Sequence, residues 1–225
     1  TPGEEARQVS VTRHRITGSV PVEYSVFTTP AGLRIGYILL VTFDDSTVDE
    51  QVGELLHIMT AAEPLDGLIL DNRLNGGGSN TVLEPILGYF SGGVAGYYVS
   101  RAEERPLSIR PNDINRSQQV PLVILVGSGT ASFGEIFSGV LQDSGRAYLI
   151  GSITGGNVEI LWGYDFEDGS RVWLASETFR PYYHPDQDWE ASGIIPDQLV
   201  PGEFDEYTLE DDPPVIAAIT YFDTL

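Results

Sequence analysis

The stretch Val120 to Gly145, VPLVILVGSGTASFGEIFSGVLQDSG, limits the possible folds more than any other part of the chain. Val120 and the run Leu122 to Val126 are almost continuously apolar, the pattern of a parallel strand covered on both faces. Gly127 and Gly129 permit a sharp turn after it. Ile136, Phe137, Val140 and Leu141 then recur at the spacing of one buried helix face, and Gly145 supplies the stop. Strand, tight turn and helix in that order form one unit of an α/β layer architecture.

Ser132 falls where that helix begins, and two readings of it stand side by side. Ser132-Phe133-Gly134-Glu135 has the spacing of a capping box, in which Ser and Glu satisfy each other's backbone amides. Alternatively, the hydroxyl is exposed at the carboxyl edge of the sheet. There the first helical N–H groups favour an oxyanion, as a serine nucleophile requires. The surrounding pattern is not G-x-S-x-G, so the α/β-hydrolase elbow does not match.

The remaining chain repeats the α/β theme. Gln8 to Ile16 reads as a strand, as does Ile35 to Phe43, and Ser46 to Asp49 opens a helix carrying Val52, Leu55, Leu56 and Met59. His14 and His57 fall on polar positions and read as surface residues. Leu65 to Leu70 is a further strand, followed at once by Asp71-Asn72-Arg73-Leu74-Asn75-Gly76-Gly77-Gly78-Ser79-Asn80 and a helix from Thr81 to Phe90. The glycine turn is open to three readings: a structural turn with an Asp71–Arg73 ion pair, an oxyanion hole of backbone amides, or a phosphate cradle. The last is weak because no Lys follows the glycines. Residues 91–119 read as a loop or hairpin, and Arg146 to Ile150 as a short strand. Asp168-Gly169 is the turn of a hairpin between Val158–Phe166 and Arg171–Phe179. Glu203 to Asp212 reads as a solvated acidic segment, and Asp212-Pro213 caps a last helix to Phe222. In right-handed parallel crossovers the carboxyl ends of strands share one edge, so the glycine turn and Ser132 are expected to face one cleft.

Charge and composition remove several function classes. The chain has 225 residues and a formal charge of −21, which argues against nucleic-acid phosphate and anionic membrane partners. With no Cys, thiolate chemistry is excluded, and three dispersed His make a His-rich metal site improbable.

Taken together, these motifs resemble the C-terminal (tail-specific) processing peptidases and their relative, the tricorn core protease. Asp71, Arg73, Asn75, Gly77 and Gly78 match that family's D-L-R-x-N-x-G-G. GTASFGEIFSGVLQDSGRA is similar to its G-[ST]-A-S-A-S-E-I…L-x-D-x-x-R-A, and Gly193 to Asp197 to its closing G-[IV]-x-P-D. The resemblance covers roughly residues 33–200. It implies a Clp-protease-like, crotonase-like α/β core with a mostly parallel sheet, helices on its faces and an appended β-hairpin. It also implies a polypeptide substrate, no cofactor or metal, and an extracytoplasmic setting. Ser132 would be the nucleophile, with the oxyanion held by the N–H of Phe133 and one from Gly77 or Gly78. Residues 1–16 would be the closing strand of a PDZ-like module and 17–225 the peptidase core.

One departure from the family pattern bears on mechanism. Many members pair Ser with a Lys in a T-x-G-K-G loop, and the matching residues here are Thr154-Gly155-Gly156-Asn157. The Gln four positions beyond that Lys is replaced by Leu161, and the chain contains no Lys at all. The tricorn-like branch uses Ser, His and Glu. Glu190, just ahead of the closing motif, matches its Glu, and His184 is the one histidine of this chain close to that motif. The base is therefore expected either from a His upstream of the chain or from His184. A non-catalytic ligand- or peptide-binding module on the same fold is the alternative, like the repeats of interphotoreceptor retinoid-binding protein. A crotonase-type acyl-thioester enzyme is a third reading, which the acidic charge disfavours.

Overall fold

A computed structural model describes residue 19, residues 21–202, residue 204 and residues 207–225. The strand expected at Gln8 to Ile16, His14 and the boundary at residue 16 lie outside the described residues.

Six strands form one sheet in the order β1-β2-β3-β6-β7-β10: β1 (Tyr24–Thr28), β2 (Arg34–Leu39), β3 (Gly67–Asp71), β6 (Leu122–Val126), β7 (Tyr148–Gly151) and β10 (Gln198–Leu199). All adjacent pairs run parallel except β1 with β2. The central strands are apolar throughout because both faces are covered. Along β6, Leu122, Ile124 and Val126 point into one core cluster while Val123 and Leu125 point into the other. Leu68 and Leu70 of β3 join the first cluster, and Ile69 the second. This is the period-two alternation of a strand with two dry faces, each such side chain contributing about 1.5–3 kcal/mol.

The first face packs on α1 (Val48–Thr60), α2 (Asn80–Phe90) and α3 (Phe133–Asp143), and the second on α5 (Pro213–Phe222). Ser79 caps α2 by accepting the Thr81 amide, and Asp212 caps α5 by accepting that of Val215. Pro213 and Pro214 occupy the first helical positions of α5, where no amide donor is needed.

Residues 91–119, read as a loop or hairpin, contain β4 (Gly93–Val99) and β5 (Glu104–Ile109). With β8 (Ile160–Asp165) and β9 (Arg171–Pro181) they build a second, antiparallel sheet in the order β5-β4-β9-β8. The expected hairpin is thus half of a sheet. Tyr98, Leu107, Ile109 and Phe179 join that sheet to the first core cluster. A short helix, α4 (Trp189–Ser192), follows β9, and Trp189 buries its ring on Phe179 at a centroid distance of 5.6 Å. β1 was not anticipated; its alternating Tyr24 and Val26 lie on the exposed face of an edge strand.

The segment before α5 is also not uniformly solvated. Asp212 is 3% exposed, and the Phe204 ring lies under the Arg73 guanidinium at 5.3 Å.

Candidate active site

The parallel register of β2, β3, β6 and β7 brings four turns to one rim of the sheet. The glycine turn following β3 and the turn before α3 pack backbone to backbone. The Asn75 carbonyl accepts the Ala131 amide at 3.0 Å, and the Thr130 hydroxyl donates to the Asn72 carbonyl at 2.8 Å. Asn72 Nδ2 donates to both the Gly134 carbonyl and Ser138 Oγ at 2.8 Å. A Cβ on Gly134 would stand 2.4 Å from the Asn75 carbonyl oxygen, so only glycine fits there.

The expectation that the glycine turn and Ser132 share a rim holds. A Cβ on Gly77 would lie 2.6 Å from Ser132 Cβ and 3.1 Å from its Oγ, and 3.0 Å from the Phe133 nitrogen. Gly77 also has φ +102°, a conformation that L side chains rarely adopt. Ser132 itself has φ +54°. A non-glycine residue held there stores on the order of 1–3 kcal/mol of strain, which surrounding bonds must offset.

Those bonds converge on Glu135, which is 0% exposed. Its carboxylate accepts the amides of Gly156 and Asn157 at 2.8 Å, that of Ser132 at 3.2 Å, and the Thr154 hydroxyl. The Ser132 amide also donates to the Asn157 carbonyl at 2.7 Å. The capping box is therefore present, with Ser132 Oγ turned to the Glu135 amide without a full hydrogen bond and the Glu135 carboxylate on the Ser132 amide at 3.2 Å. The Ser132 hydroxyl donates its proton to no acceptor among the described residues, so the capping and nucleophile readings are compatible.

Two amides of these turns are open. Among the described residues, neither the Phe133 nor the Gly78 N–H has an acceptor. The Gly77 N–H, by contrast, donates to Asn75 Oδ1 at 2.9 Å. Of the two glycines considered from sequence, Gly78 has the available donor, and Gly77 supplies the space. Asn75, matched only as part of a motif, fixes the turn from within.

The Asp71–Arg73 ion pair is present and larger than expected. Arg73 Nη2 lies 2.6 Å from Asp71 Oδ2 and 2.7 Å from Asp212 Oδ2, with all three side chains buried. Tyr37 donates its hydroxyl to Asp71 at 2.8 Å. Burial pulls the Arg73 guanidinium toward its neutral form, but its bonds to the two carboxylates outweigh this and hold it above the ordinary arginine value. Burial, then the Asp71 charge, pushes the Tyr37 phenol well above its ordinary range.

Glu190 reaches the same neighbourhood through the backbone. Its Oε2 accepts the amides of Val158 at 2.6 Å and Glu159 at 3.1 Å, directly after Asn157. His184 does not reach it. Its Nδ1 is paired with Asp143 at 2.7 Å, and its side chain is 63% exposed. Asp143 ends α3, eleven residues from Ser132, about 16 Å along a helix rising 1.5 Å per residue. His184 is therefore not placed to take a proton from Ser132, and proximity in sequence to the closing motif was a misleading guide. His57 lies on an exposed face of α1, as expected. No cluster of His, Cys, Asp and Glu able to hold a metal occurs among the described residues.

The chain is 31% identical over 198 residues to the carboxyl-terminal-processing protease of Synechocystis sp., covering 88% of this chain and 45% of that protein. It is 29% identical over 207 residues to carboxyl-terminal-processing peptidase 2, chloroplastic, of Arabidopsis thaliana, covering 90% of this chain and 39% of the relative. It thus spans less than half the length of either. The photosystem II D1 C-terminal processing protease superposes with a TM-score of 0.69 at 27% identity, covering 82% of this chain and 49% of that one. The tricorn protease shares the fold at a TM-score of 0.54 and 23% identity, covering 84% of this chain and 18% of that one. The family model "Peptidase family S41" matches residues 34–200, and the chain belongs to that family.

Proposed function

We propose that this chain is the core of a serine endopeptidase that cleaves extended polypeptides through an acyl-enzyme. The single observation that carries the reading is the Ser132 side chain lying against Gly77, with open amides at Phe133 and Gly78 in the same two turns. Ser132 Oγ attacks the peptide carbonyl, its proton passes to a base, and the two amides stabilise the oxyanion. The same base returns the proton to the leaving amine, and water then releases the acyl group. The base is a group other than the described histidines, and the absence of any Lys favours the Ser/His/Glu branch over the Ser–Lys branch. Glu190 orients that base from its anchor on Val158 and Glu159. The substrate backbone can add as a strand along β8, an edge strand that begins three residues after Asn157. An extracytoplasmic setting is proposed from the family alone.

Peptide hydrolysis by the intact gene product, compared with Ser132→Ala, tests the proposal. Loss of hydrolysis supports it, and unchanged hydrolysis moves the nucleophile elsewhere. A second reading, a non-catalytic peptide-binding module, is motivated by Asn157 and Leu161 standing where a Lys and a Gln are expected. Failure of a fluorophosphonate to label Ser132 in the intact gene product would favour it.

A further inference from the structure

A cleft of about 630 Å³ opens directly from the Gly78–Phe133 corner and runs between the two sheets. Trp162 and Phe133 form apolar walls. Among the described residues, the single cation lining it, Arg105, is already engaged. Its Nε and Nη2 bind Glu177 at 3.2 and 2.9 Å, and its guanidinium stacks on Tyr98 at 4.9 Å. Two further carboxylates line the cleft, Asp44 following β2 and Glu103 in the turn between β4 and β5. Both residues are exposed, and neither carboxylate has a hydrogen bond or ion pair within the described residues. Separately, the hydroxyl of Tyr98, a cleft-lining residue only 3% exposed, has no hydrogen-bond partner. A buried hydroxyl left in that state is normally satisfied by something.

We infer that this cleft is a subsite for a basic side chain of the bound polypeptide, with Asp44, Glu103 and Tyr98 as its specificity determinants. The inference rests on the peptidase reading for its connection to catalysis, but concerns binding. A Lys or Arg side chain has an apolar stem to lie along Trp162 and Phe133, and a cationic head to face the two carboxylates that form no ion pair and to donate to the phenol oxygen. The chain's overall charge of −21 attracts the same ligand and repels an acidic one.

The test uses dansyl-labelled alanine hexapeptides carrying one Lys, Gln or Glu at each position in turn, with binding to the Ser132→Ala protein read by fluorescence anisotropy. At one position the Lys peptide is expected to bind about 10-fold tighter than its Gln counterpart, with the Glu peptide weakest. The preference should shrink to below about 3-fold in Asp44→Asn/Glu103→Gln, and as salt rises to where the Debye length is ~3 Å. Tyr98→Phe should weaken the Lys peptide more than the Gln peptide. Equal binding of Lys and Gln peptides at every position, or a Lys preference retained by the double variant, overturns the inference. A Lys preference without fluorophosphonate labelling of Ser132 would uphold the subsite while refuting the chemistry, so the two failures are distinguishable.

Discussion

The carbonyl of Asn157 accepts the amide hydrogen of Ser132 at 2.7 Å. The residue standing where many related peptidases carry Lys is therefore bonded by its backbone to the proposed nucleophile. The 154–157 loop keeps this place through Glu135, which binds it at Thr154, Gly156 and Asn157. The loop is thus held against the Ser132 turn, although Asn157 offers no side chain able to take a proton.

Glu135→Gln should uncouple the two turns. An amide cannot accept four donors as the carboxylate does, and it turns an NH₂ toward at least one of them. Hydrogen bonds to charged groups contribute about 1.5–3 kcal/mol each, so a loss of at least that size is expected in urea-unfolding stability. Peptide hydrolysis should fall as well, because the strained Ser132 backbone loses one of its two amide acceptors.

Gly77→Ala places a methyl 2.6 Å from Ser132 Cβ and forces an L residue to φ +102°. Displacing the nucleophile by about 1 Å can cost ~10²-fold in rate, and a drop of that size in kcat/KM is expected. Gly32→Ala is the control. Its φ is also positive, but its Cβ would meet nothing within 4 Å, so it should cost stability without touching activity.

Breaking the buried triad tests what holds the glycine turn. Asp212→Asn leaves Arg73 with one carboxylate in a dry site, and loss of one partner of a buried pair costs about 3–5 kcal/mol. A midpoint shift in urea of corresponding size should follow. An unchanged midpoint would mean that the segment around residue 212 is not docked on the turn.

Much of this was legible in the sequence, and the exceptions have physical causes. The strand–turn–helix at Val120–Gly145 declared itself because two dry faces demand an unbroken apolar run. The shared rim followed from parallel connections, which fix the side on which turns collect. β4 and β5 form the hairpin that was one of two readings of residues 91–119; it could not be told from a loop because the strands alternate weakly around Gly96 and Pro106, and a half-exposed antiparallel sheet leaves a fainter pattern than a buried one. Asp212 was assigned to a solvated acidic stretch, since no local pattern reveals that one acid among several meets an arginine 139 positions away. Likewise, the role of Glu135 beyond its own helix depends on a loop about twenty residues downstream.

The two remaining site residues should separate cleanly. Glu190→Gln keeps an oxygen for the Val158 and Glu159 amides, so folding should be retained. If Glu190 orients a charged base, activity should still fall steeply, as carboxylate-to-amide changes in triads cost up to ~10⁴-fold. His184→Ala should change kcat/KM by far less than the 10²–10⁴-fold contributed by a general base.

The most direct measurement is the site of fluorophosphonate modification on the intact gene product, mapped by peptide mass spectrometry. A single adduct on Ser132, abolished in Ser132→Ala and slowed in Gly77→Ala, is the expected result. An adduct on another serine, or peptide cleavage that persists with Ser132 unmodified, would contradict the assignment of Ser132 as nucleophile.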